Sequence, residues 1–255
     1  MNEIYKIFSV FKKKILITGA ANGNGRAIAK GLGNAGGDLY LVDSDYHNLK
    51  IVADEIEKNT NNKVNKFYLD LNDKKKLIKF LNKKFDYDVV INNAGVSRGN
   101  HLFNYTDKDW EMTHNINLYV PYKIIQKVSQ NMAKKKSGSI INITSLAAEL
   151  GFPGNPAYVA FKGALKQLTK AATCDLADSG VRINSIGPGY IKTNMTSKSW
   201  KNKKLRTTRT LRTSMNRWGT PNDLVGLVIF LSSEASSYIT GQDFYVDGGW
   251  LAKGI

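Results

Sequence analysis

The amino-acid sequence predicts an α/β fold in which a doubly wound parallel β-sheet of about seven strands carries helices on both faces. Apolar runs of strand length alternate with longer segments of helical period. The apolar runs are continuous, as expected for strands that are buried on both faces. No Pro- or Ser-rich linker interrupts the 255 residues, so we predict a single domain over residues 1–255.

The predicted elements follow one another in a regular order. The first strand precedes a glycine-rich turn, a helix follows the turn, and the second strand ends at Asp43, which makes a strand–helix–strand unit. The same order then repeats. Predicted strands cover residues 15–17, 39–42, 63–69, 87–91, 139–143, 182–186 and 243–246. Predicted helices cover residues 25–35, 49–58, 74–85, 116–135, 158–177 and 222–231, and the longest predicted irregular stretch covers residues 187–219.

The chain is strongly basic, because 37 Lys and Arg residues against 21 Asp and Glu residues give a formal net charge of +16. This charge is compatible with nucleic acid, an anionic lipid or an acidic small molecule as a partner. The longest apolar stretch, near residues 224–231, is far shorter than the roughly 20 residues of a membrane-spanning helix. The N-terminus has no secretory signal pattern, so we expect a cytoplasmic protein without a membrane partner.

The cysteine and histidine residues indicate little chemistry. Cys174 is the single cysteine and falls in an alanine-rich helical pattern, so we expect a buried, inert thiol. His47, His101 and His114 lie far apart, without the short spacing that is typical of metal ligands. We therefore expect no metal site.

The glycine-rich turn at residues 18–25 reads Thr-Gly-Ala-Ala-Asn-Gly-Asn-Gly and lies directly between the first strand and the first helix. Glycines let a backbone turn tightly and approach a pyrophosphate, whose charge then meets the N-terminus of the helix. The turn therefore predicts a dinucleotide site.

Acidic residues at the ends of two strands bear on the choice of cofactor. Asp43 stands where a carboxylate can accept hydrogen bonds from the adenosine ribose, and it would repel a 2′-phosphate. Neither residues 20–24 nor the neighbours of Asp43 include a Lys or Arg, so we predict NAD rather than NADP. A plain turn residue is the alternative interpretation of Asp43. Asp70 ends the third strand, either as an acceptor for the adenine amino group or as a helix cap.

Candidate catalytic side chains come from one strand end and one helix. Tyr158 and Lys162 are four residues apart in a predicted helix and share one of its faces. Ser145 ends a predicted strand, at the edge where doubly wound sheets bind ligands. A phenol with a pKa near 10 is a poor base at neutral pH. An ammonium about 4 Å away would lower that pKa to about 7, so we expect Lys162 to activate Tyr158.

In these motifs the sequence resembles the short-chain dehydrogenase/reductase family over nearly the whole chain, from Thr18 to Gly249. The family's Thr-Gly-x3-Gly-x-Gly pattern is matched by residues 18–25, and its Asn-Asn-Ala-Gly pattern by residues 92–95. Its Tyr-x3-Lys pattern is matched by residues 158–162, and its Pro-Gly followed by Thr by residues 188–193. The order and spacing of the four motifs are more specific than any one of them.

The resemblance implies a Rossmann-type fold, hydride transfer between NAD(H) and a secondary alcohol or ketone, and a homotetramer. It implies a catalytic tetrad in which Ser145 bonds to the substrate oxygen and Tyr158 moves the proton. In this tetrad Lys162 holds the nicotinamide ribose and Asn117 holds a water molecule in a proton relay. The implied cofactor site consists of Gly19, Asn22, Gly23, Asn24, Gly25, Asp43, Asp70, Leu71, Asn93, Ala94, Gly95, Tyr158, Lys162, Pro188, Gly189, Ile191 and Thr193.

Three positions depart from the family pattern. Asn22 and Asn24 stand where relatives commonly have Ser and an aliphatic residue, and Phe161 stands where a small residue is common. None of these residues replaces a catalytic group. Asn24 replaces an apolar side chain that usually contacts the cofactor in relatives. We therefore expect the affinity for the nicotinamide half of the cofactor to be the property that differs most from that of relatives.

A cationic segment follows the sixth strand. Residues 179–222 contain no Asp or Glu. They contain Arg182, Lys192, Lys198, Lys201, Lys203, Lys204, Arg206, Arg209, Arg212 and Arg217. Since this stretch covers the substrate in short-chain reductases, the resemblance implies a lid at about residues 190–217. Its charge indicates an anionic substrate, with a solvated lysine-rich surface as the alternative interpretation.

A finer resemblance is to gluconate 5-dehydrogenase-like members of the family. It is carried by residues 93–98, Ser145 with residues 149–151, residues 189–193, residues 217–219 and residues 246–250. It implies a sugar acid or polyol as substrate, bound by Arg98, Ser145, Glu149 and Tyr158. Arg98 would pair with a carboxylate, and Glu149 would accept hydrogen bonds from hydroxyls. Pairing of Arg98 and Glu149 with each other or with solvent is the alternative.

Two other functions stay open. A 3-oxoacyl-[acyl-carrier-protein] reductase-like enzyme would suit the basic lid, but that activity usually goes with NADP, against which Asp43 argues. A non-catalytic nucleic-acid-binding or scaffold protein would suit the charge. However, the lid offers only Tyr190 and Trp200 before Trp218, without a repeated aromatic platform for base stacking. We predict a small-molecule substrate and no nucleic acid.

Overall fold

One parallel sheet organises the computed structural model, which describes residues 3–60, 62–83 and 86–253. Its strands are β1 (Lys14–Thr18), β2 (Asp38–Asp43), β3 (Val64–Tyr68), β4 (Val89–Asn92), β5 (Gly138–Ile143), β6 (Val181–Pro188) and β7 (Asp243–Val246). Their spatial order is β3-β2-β1-β4-β5-β6-β7, and all neighbours are parallel. The order reverses between β1 and β4, which creates the crevice where such sheets bind ligands. The predicted α/β fold is confirmed.

Helices cover both faces of the sheet. They are α1 (Glu3–Ile7), α2 (Gly23–Asn34), α3 (Tyr46–Asn59), α4 (Lys74–Leu81), α5 (Asp107–His114), α6 (Val120–Lys135), α7 (Pro156–Leu176), α8 (Ser197–Lys201), α9 (Lys203–Arg212) and α10 (Val225–Ser232). The apolar sides of α2, α3 and α10 pack on one face, and those of α4, α6 and α7 pack on the other. Within β1, Ile15 and Ile17 contact the first group and Leu16 the second, so the strand is buried on both sides.

The chain between β4 and β5 differs from the single helix predicted over residues 116–135. Thr106 begins α5, because its hydroxyl accepts a hydrogen bond from the Asp109 backbone amide at 3.1 Å. A π-helical segment, Asn115–Tyr119, joins α5 to α6. Pro121 has no backbone N–H and cannot bond the carbonyl of Asn117, four residues earlier, which favours an irregular segment at this point.

The prediction of an irregular stretch over residues 187–219 is wrong in part, because that stretch contains α8 and α9. Asn202 begins α9, where its side chain accepts a hydrogen bond from the Leu205 backbone amide at 3.0 Å. No residue of α9 is buried. The helix therefore lacks the apolar period from which helices are recognised in a sequence.

Two smaller expectations also differ from the structure. The helix predicted over residues 74–85 ends at Leu81, and Phe85 lies outside the described residues. Cys174 is exposed, so the prediction of a buried thiol is wrong. Helix α7 buries Leu165, Thr169 and Ala172 along one stripe, and Cys174 lies off that stripe. None of the helices that the structure describes is long and apolar enough to cross a membrane.

Candidate active site

A cavity of about 510 Å³ opens at the carboxyl ends of the strands. All of the predicted cofactor residues except Gly25 line it, and so does Ser145. Asn117, Arg98 and Glu149 do not line it. Some residues that line the cavity were not predicted as site residues. Met112 lies in α5, which was not predicted, and Ile116 lies in the π-helical segment at the start of the predicted helix. Residues 194–196 directly follow the predicted Thr193.

The glycine-rich turn is packed too closely for side chains. Gly19 and Gly23 have φ angles of +66° and +52°, in the left-handed region that favours glycine. A Cβ atom on Gly25 would lie 1.9 Å from the carbonyl oxygen of Gly19. The Asn93 side chain donates to the carbonyls of Thr18 and Gly19, each at 3.0 Å, and so ties the turn to the loop after β4. Gly25 therefore allows the turn to pack tightly, although it does not itself line the cavity.

The residues at this turn fit a dinucleotide. Helix α2 begins at Gly23, and the Asn22 side chain does not cap its first amides, so they can meet a phosphate group. The Oδ1 atom of Asn24 is buried without a hydrogen-bond partner, although Asn24 lines the cavity. A hydrogen-bond donor on a bound molecule would satisfy this acceptor. The ribose hydroxyls and the carboxamide of a nicotinamide dinucleotide supply such donors.

Two carboxylates stand at the end of β2. Asp43 accepts hydrogen bonds from the backbone amides of Ala21 and Asp45, each at 2.9 Å. The Asp45 carboxylate accepts hydrogen bonds from the Asn48 side chain at 2.6 Å and from the Asn22 side chain at 3.0 Å, and these bonds hold its pKa below the ordinary value. Asp45, which the sequence analysis did not single out, therefore adds a second negative charge beside Asp43.

The Tyr158 and Lys162 side chains meet inside the cavity. Both lie in the first two turns of α7, and the Nζ atom of Lys162 is 5.8 Å from the centre of the Tyr158 ring. The ammonium donates to the carbonyl of Ile143, at the end of β5, at 2.6 Å. Lys162 is only 3% exposed, and this burial lowers its pKa to about 8.

Ser145 and Tyr158 complete the group of candidate catalytic side chains. Burial raises the pKa of Tyr158, and a hydrogen bond with the Ser145 side chain acts in the opposite direction. The Ser145 hydroxyl also accepts from the backbone amide of Ala147 at 3.1 Å. The expectation that Lys162 lowers the Tyr158 pKa is wrong for this structure, because burial dominates and the ammonium bonds to Ile143 instead.

Asn117 is fully buried in the π-helical segment behind the cavity. Its Oδ1 accepts from the backbone amide of Val96 at 2.9 Å, and its Nδ2 donates to the carbonyl of Val96 at 2.8 Å. Both polar groups of the side chain are thus occupied. The Asn117 side chain fixes the loop after β4 and does not reach the cavity.

The two predicted substrate residues have different positions. Arg98 is exposed on the loop after β4, and its Nη2 lies 3.4 Å from the sulfur of Met112, which lines the cavity. Arg98 therefore lies at the cavity rim. Glu149 pairs with Lys166 and accepts a hydrogen bond from the Tyr245 hydroxyl at 2.5 Å. Both contacts lower the pKa of Glu149, and the structure does not bring this carboxylate into the cavity or to Arg98.

Two of the three histidines pack against aromatic rings. The His101 ring lies 4.8 Å from that of Phe103, and the His114 ring lies 5.1 Å from that of Phe161, measured between centres. Within the described ranges, no group of three or more His, Cys, Asp or Glu side chains can hold a metal ion.

The glycine-rich dinucleotide site lies beside the side chains of Ser145, Tyr158 and Lys162. This combination defines an NAD(P)-dependent oxidoreductase that acts on CH–OH groups. Residues 19–251 match the family model described as "Enoyl-(Acyl carrier protein) reductase". The chain belongs to the short-chain dehydrogenase/reductase family, so the predicted family is confirmed.

Individual relatives have related activities. The 5-keto-D-gluconate 5-reductase of Escherichia coli is 32% identical over 98% of this chain and 99% of its own. A 3-oxoacyl-[acyl-carrier-protein] reductase of Thermotoga maritima is 34% identical over 93% of this chain and 97% of its own. A crystal structure of a Burkholderia cenocepacia gluconate 5-dehydrogenase in complex with NADP and tartrate has a TM-score of 0.92. That protein is 29% identical, and the match covers 98% of this chain and 100% of that one.

Replacement of Gly25 by Ala should weaken NADH binding by at least about tenfold, because the new methyl group would push the turn away from β1 and out of its cofactor-binding shape. Fluorescence titration with NADH measures the effect. Gly226→Ala is the matched control, since a Cβ atom there meets nothing within 4 Å in α10. Equal NADH affinity in the two variants would contradict this account of the turn.

The stability of the chain should depend on pH through Lys162. Between about pH 8 and the ordinary lysine value of 10.5, the unfolded chain binds a proton at this position that the folded chain does not. The free energy of unfolding, relative to Lys162→Met, should therefore rise by about 3 kcal/mol across that window and stay constant below it.

Urea unfolding at a series of pH values measures this difference. Lys166→Met is the control, because its carboxylate partners raise the pKa of Lys166 and no gain is expected over the same window. A wild-type stability that falls or stays level relative to Lys162→Met between pH 8 and 10 would show that the ammonium is not destabilised by burial.

Proposed function

We propose that this chain interconverts a secondary alcohol and a ketone of a sugar acid, with NAD(H) as cofactor, in the manner of a gluconate 5-dehydrogenase. The observation that carries the proposal is the meeting of Ser145, Tyr158 and Lys162 in one cavity with the glycine-rich turn. Arg98 at the rim, which has no acidic partner in the described part of the chain, adds a charge that suits a carboxylate.

Each side chain has a distinct task in this proposal. The nicotinamide supplies or accepts the hydride when it is bound. The Ser145 hydroxyl donates a hydrogen bond to the substrate oxygen, and Tyr158 exchanges a proton with that oxygen. Because burial raises its pKa, Tyr158 keeps its proton at neutral pH, which suits donation to a ketone oxygen during reduction. Lys162 binds the hydroxyls of the nicotinamide ribose.

Asn117 would contribute through its backbone rather than its side chain. The side-chain amide is held by Val96 at both polar atoms. The Asn117 carbonyl lacks an amide partner at Pro121, so it is the group that suits a water molecule in a proton relay.

The proposed preference for NAD rests on the charge at the end of β2. A 2′-phosphate on the adenosine ribose would approach the carboxylates of Asp43 and Asp45. The guanidinium of Arg26, in the first turn of α2, is already paired with Glu55 at 2.8 and 3.0 Å. The Burkholderia cenocepacia structure holds NADP, which favours NADP as the cofactor of this chain. Replacement of Asp43, described below, distinguishes NAD from NADP.

Several features support a polyhydroxylated anion as the substrate. The Escherichia coli relative is named for a keto sugar acid, and the Burkholderia cenocepacia structure holds tartrate, a hydroxylated dicarboxylate. In this chain, residues 190–217 would form the lid, and residues 194–196 line the cavity from it. Since Glu149 is bonded to Lys166 and Tyr245, Arg98, Ser145 and Tyr158 are the substrate contacts that we propose.

A 3-oxoacyl-[acyl-carrier-protein] reductase is the second candidate. The Thermotoga maritima relative has this activity in its name and an identity similar to that of the sugar-acid enzyme. The cationic lid would also suit an acidic carrier protein. Reduction of acetoacetyl thioesters, without reduction of keto sugar acids, would favour this candidate.

The expected homotetramer and cytoplasmic location stay predictions from the family resemblance and the sequence. The same holds for the absence of a nucleic-acid partner. None of them is needed for the chemistry proposed for the cavity.

Replacement of Tyr158 by Phe should lower the rate of NADH-dependent reduction of 5-keto-gluconate by about 100-fold to 10,000-fold, because the proton donor is lost. NADH binding should change little, since the ring stays in place. Tyr245→Phe is the control, as it removes a hydroxyl that bonds to Glu149 outside the cavity. A near-normal rate in Tyr158→Phe would remove this residue from the mechanism.

Replacement of Asp43 by Ser should reduce the preference for NADH over NADPH by at least about tenfold, because a carboxylate that repels the 2′-phosphate is removed. The ratio of the two dissociation constants is the quantity to measure. Asp70→Ser serves as the control, because Asp70 lines the same cavity beyond β3. An unchanged ratio in Asp43→Ser would mean that another group discriminates between the two cofactors.

A further inference from the structure

Aromatic side chains form a cluster beside the catalytic cavity. The ring of Tyr190 lies 5.2 Å from that of Trp218, 4.9 Å from that of Trp250 and 6.3 Å from that of Phe152, measured between centres. Trp218 and Trp250 are each only 6% exposed. The cluster therefore presents a packed aromatic surface to helix α9.

Helix α9 places two arginines on this aromatic surface. The Cζ atom of Arg209 lies 4.4 Å from the centre of the Tyr190 ring, and that of Arg212 lies 5.1 Å from the centre of the Trp250 ring. The two arginines are three residues apart and share one face of the helix. Stacking on the rings holds both guanidinium groups in defined places.

Neither guanidinium has an acceptor for its N–H groups among the residues that the structure describes. Across the described ranges, Arg209 and Arg212 form no ion pair and no hydrogen bond, whereas the nearby Arg217 forms two hydrogen bonds with Asp223 at 2.8 and 2.9 Å. Stacking occupies only the flat face of a guanidinium, so its five N–H donors stay available at the edges. Two ordered cations one helical turn apart are suited to an oxyanion.

Tyr190 belongs to the same set of contacts, because Arg209 lies over its ring and Arg212 lies over the ring of Trp250, 4.9 Å from that of Tyr190. Burial raises the pKa of Tyr190, and the charges of Arg209 and Arg212 act in the opposite direction. Tyr190 stands between Gly189 and Ile191, and both of these neighbours line the catalytic cavity. Phe152 belongs to the loop that follows Ser145. Tyr190 itself lines a second cavity of about 520 Å³, which shares Ile191 with the catalytic cavity. The arginine pair therefore adjoins the catalytic cavity without lining it.

We propose that Arg209 and Arg212, with the Tyr190 hydroxyl, form a binding site for an oxyanion at the end of the substrate remote from the reacting carbon. The inference rests on the proposed function and narrows it. The substrate would carry a second carboxylate or a phosphate group in addition to the carboxylate at Arg98. A dianionic sugar acid is the chemical class that fits both sites.

Inorganic phosphate is the first probe, titrated into the full-length protein by calorimetry. Wild-type protein should bind phosphate at a saturable site, and Arg209→Gln and Arg212→Gln should each weaken it by at least about tenfold. Arg209→Lys keeps the charge without the planar fork and should give an intermediate loss. Lys201→Gln and Lys204→Gln remove the same charge from exposed lid positions that lack a ring contact, and they should stay within about twofold of wild type.

Substrate kinetics form the second arm of the experiment. The values of kcat/KM are compared for gluconate, glucarate and 6-phosphogluconate, which carry one carboxylate, two carboxylates, and a carboxylate with a phosphate. Oxidation of a dianion should be favoured in wild type, and that preference should disappear in Arg209→Gln and Arg212→Gln. The dianion with the higher value identifies the second group as a carboxylate or a phosphate.

Several results would overturn the inference. Phosphate binding that is absent from wild type, or that weakens equally in the two lysine controls, would show that the pair is only part of a general positive field. Oxidation of gluconate that is as efficient as that of both dianions would also overturn it. If no sugar acid is oxidised while phosphate binding still requires both arginines, the proposed function fails and the anion site stands. Unchanged NADH affinity and melting temperature check that the variants are folded.

Discussion

The close approach of the turn after β1 to the loop after β4 is the constraint on which the site depends. Gly25 has no room for a Cβ atom against the Gly19 carbonyl, and the Asn93 side chain bonds to the carbonyls of Thr18 and Gly19. These contacts form one wall of the crevice where the strand order reverses. They also place the start of α2 at the cavity. Asn117 adds to the same construction by holding Val96 of that loop.

Burial determines the protonation states of the two titratable catalytic side chains. Removal of Lys162 from water lowers its pKa to about 8, and removal of Tyr158 from water raises the pKa of its phenol. Both shifts favour the neutral forms of the two side chains. A cavity of this kind holds a protonated phenol next to a serine hydroxyl, which is the arrangement that a ketone oxygen needs as it gains negative charge.

The extent to which the sequence predicted this structure follows from where apolar residues are found. The strands and the helices that cover them have buried, periodic side chains, so they were predicted with small errors at their ends. Helix α9 buries no residue and rests on the body through arginine–aromatic contacts, so no periodic signal marked it. The motifs placed Ser145, Tyr158 and Lys162 together correctly. They could not show that Glu149 would bond to Lys166 and Tyr245, two partners distant in the sequence.

Isotope transfer is the measurement that tests the central claim most directly. NADH deuterated at C4 of the nicotinamide, on either face, would be incubated with the protein and 5-keto-gluconate, and the product would be examined by NMR. The account predicts deuterium on the carbinol carbon at position 5 of the sugar acid. Absence of deuterium from the sugar acid for both labelled forms, together with its appearance in the product of an acetoacetyl thioester, would contradict the account and assign the cavity to acyl substrates.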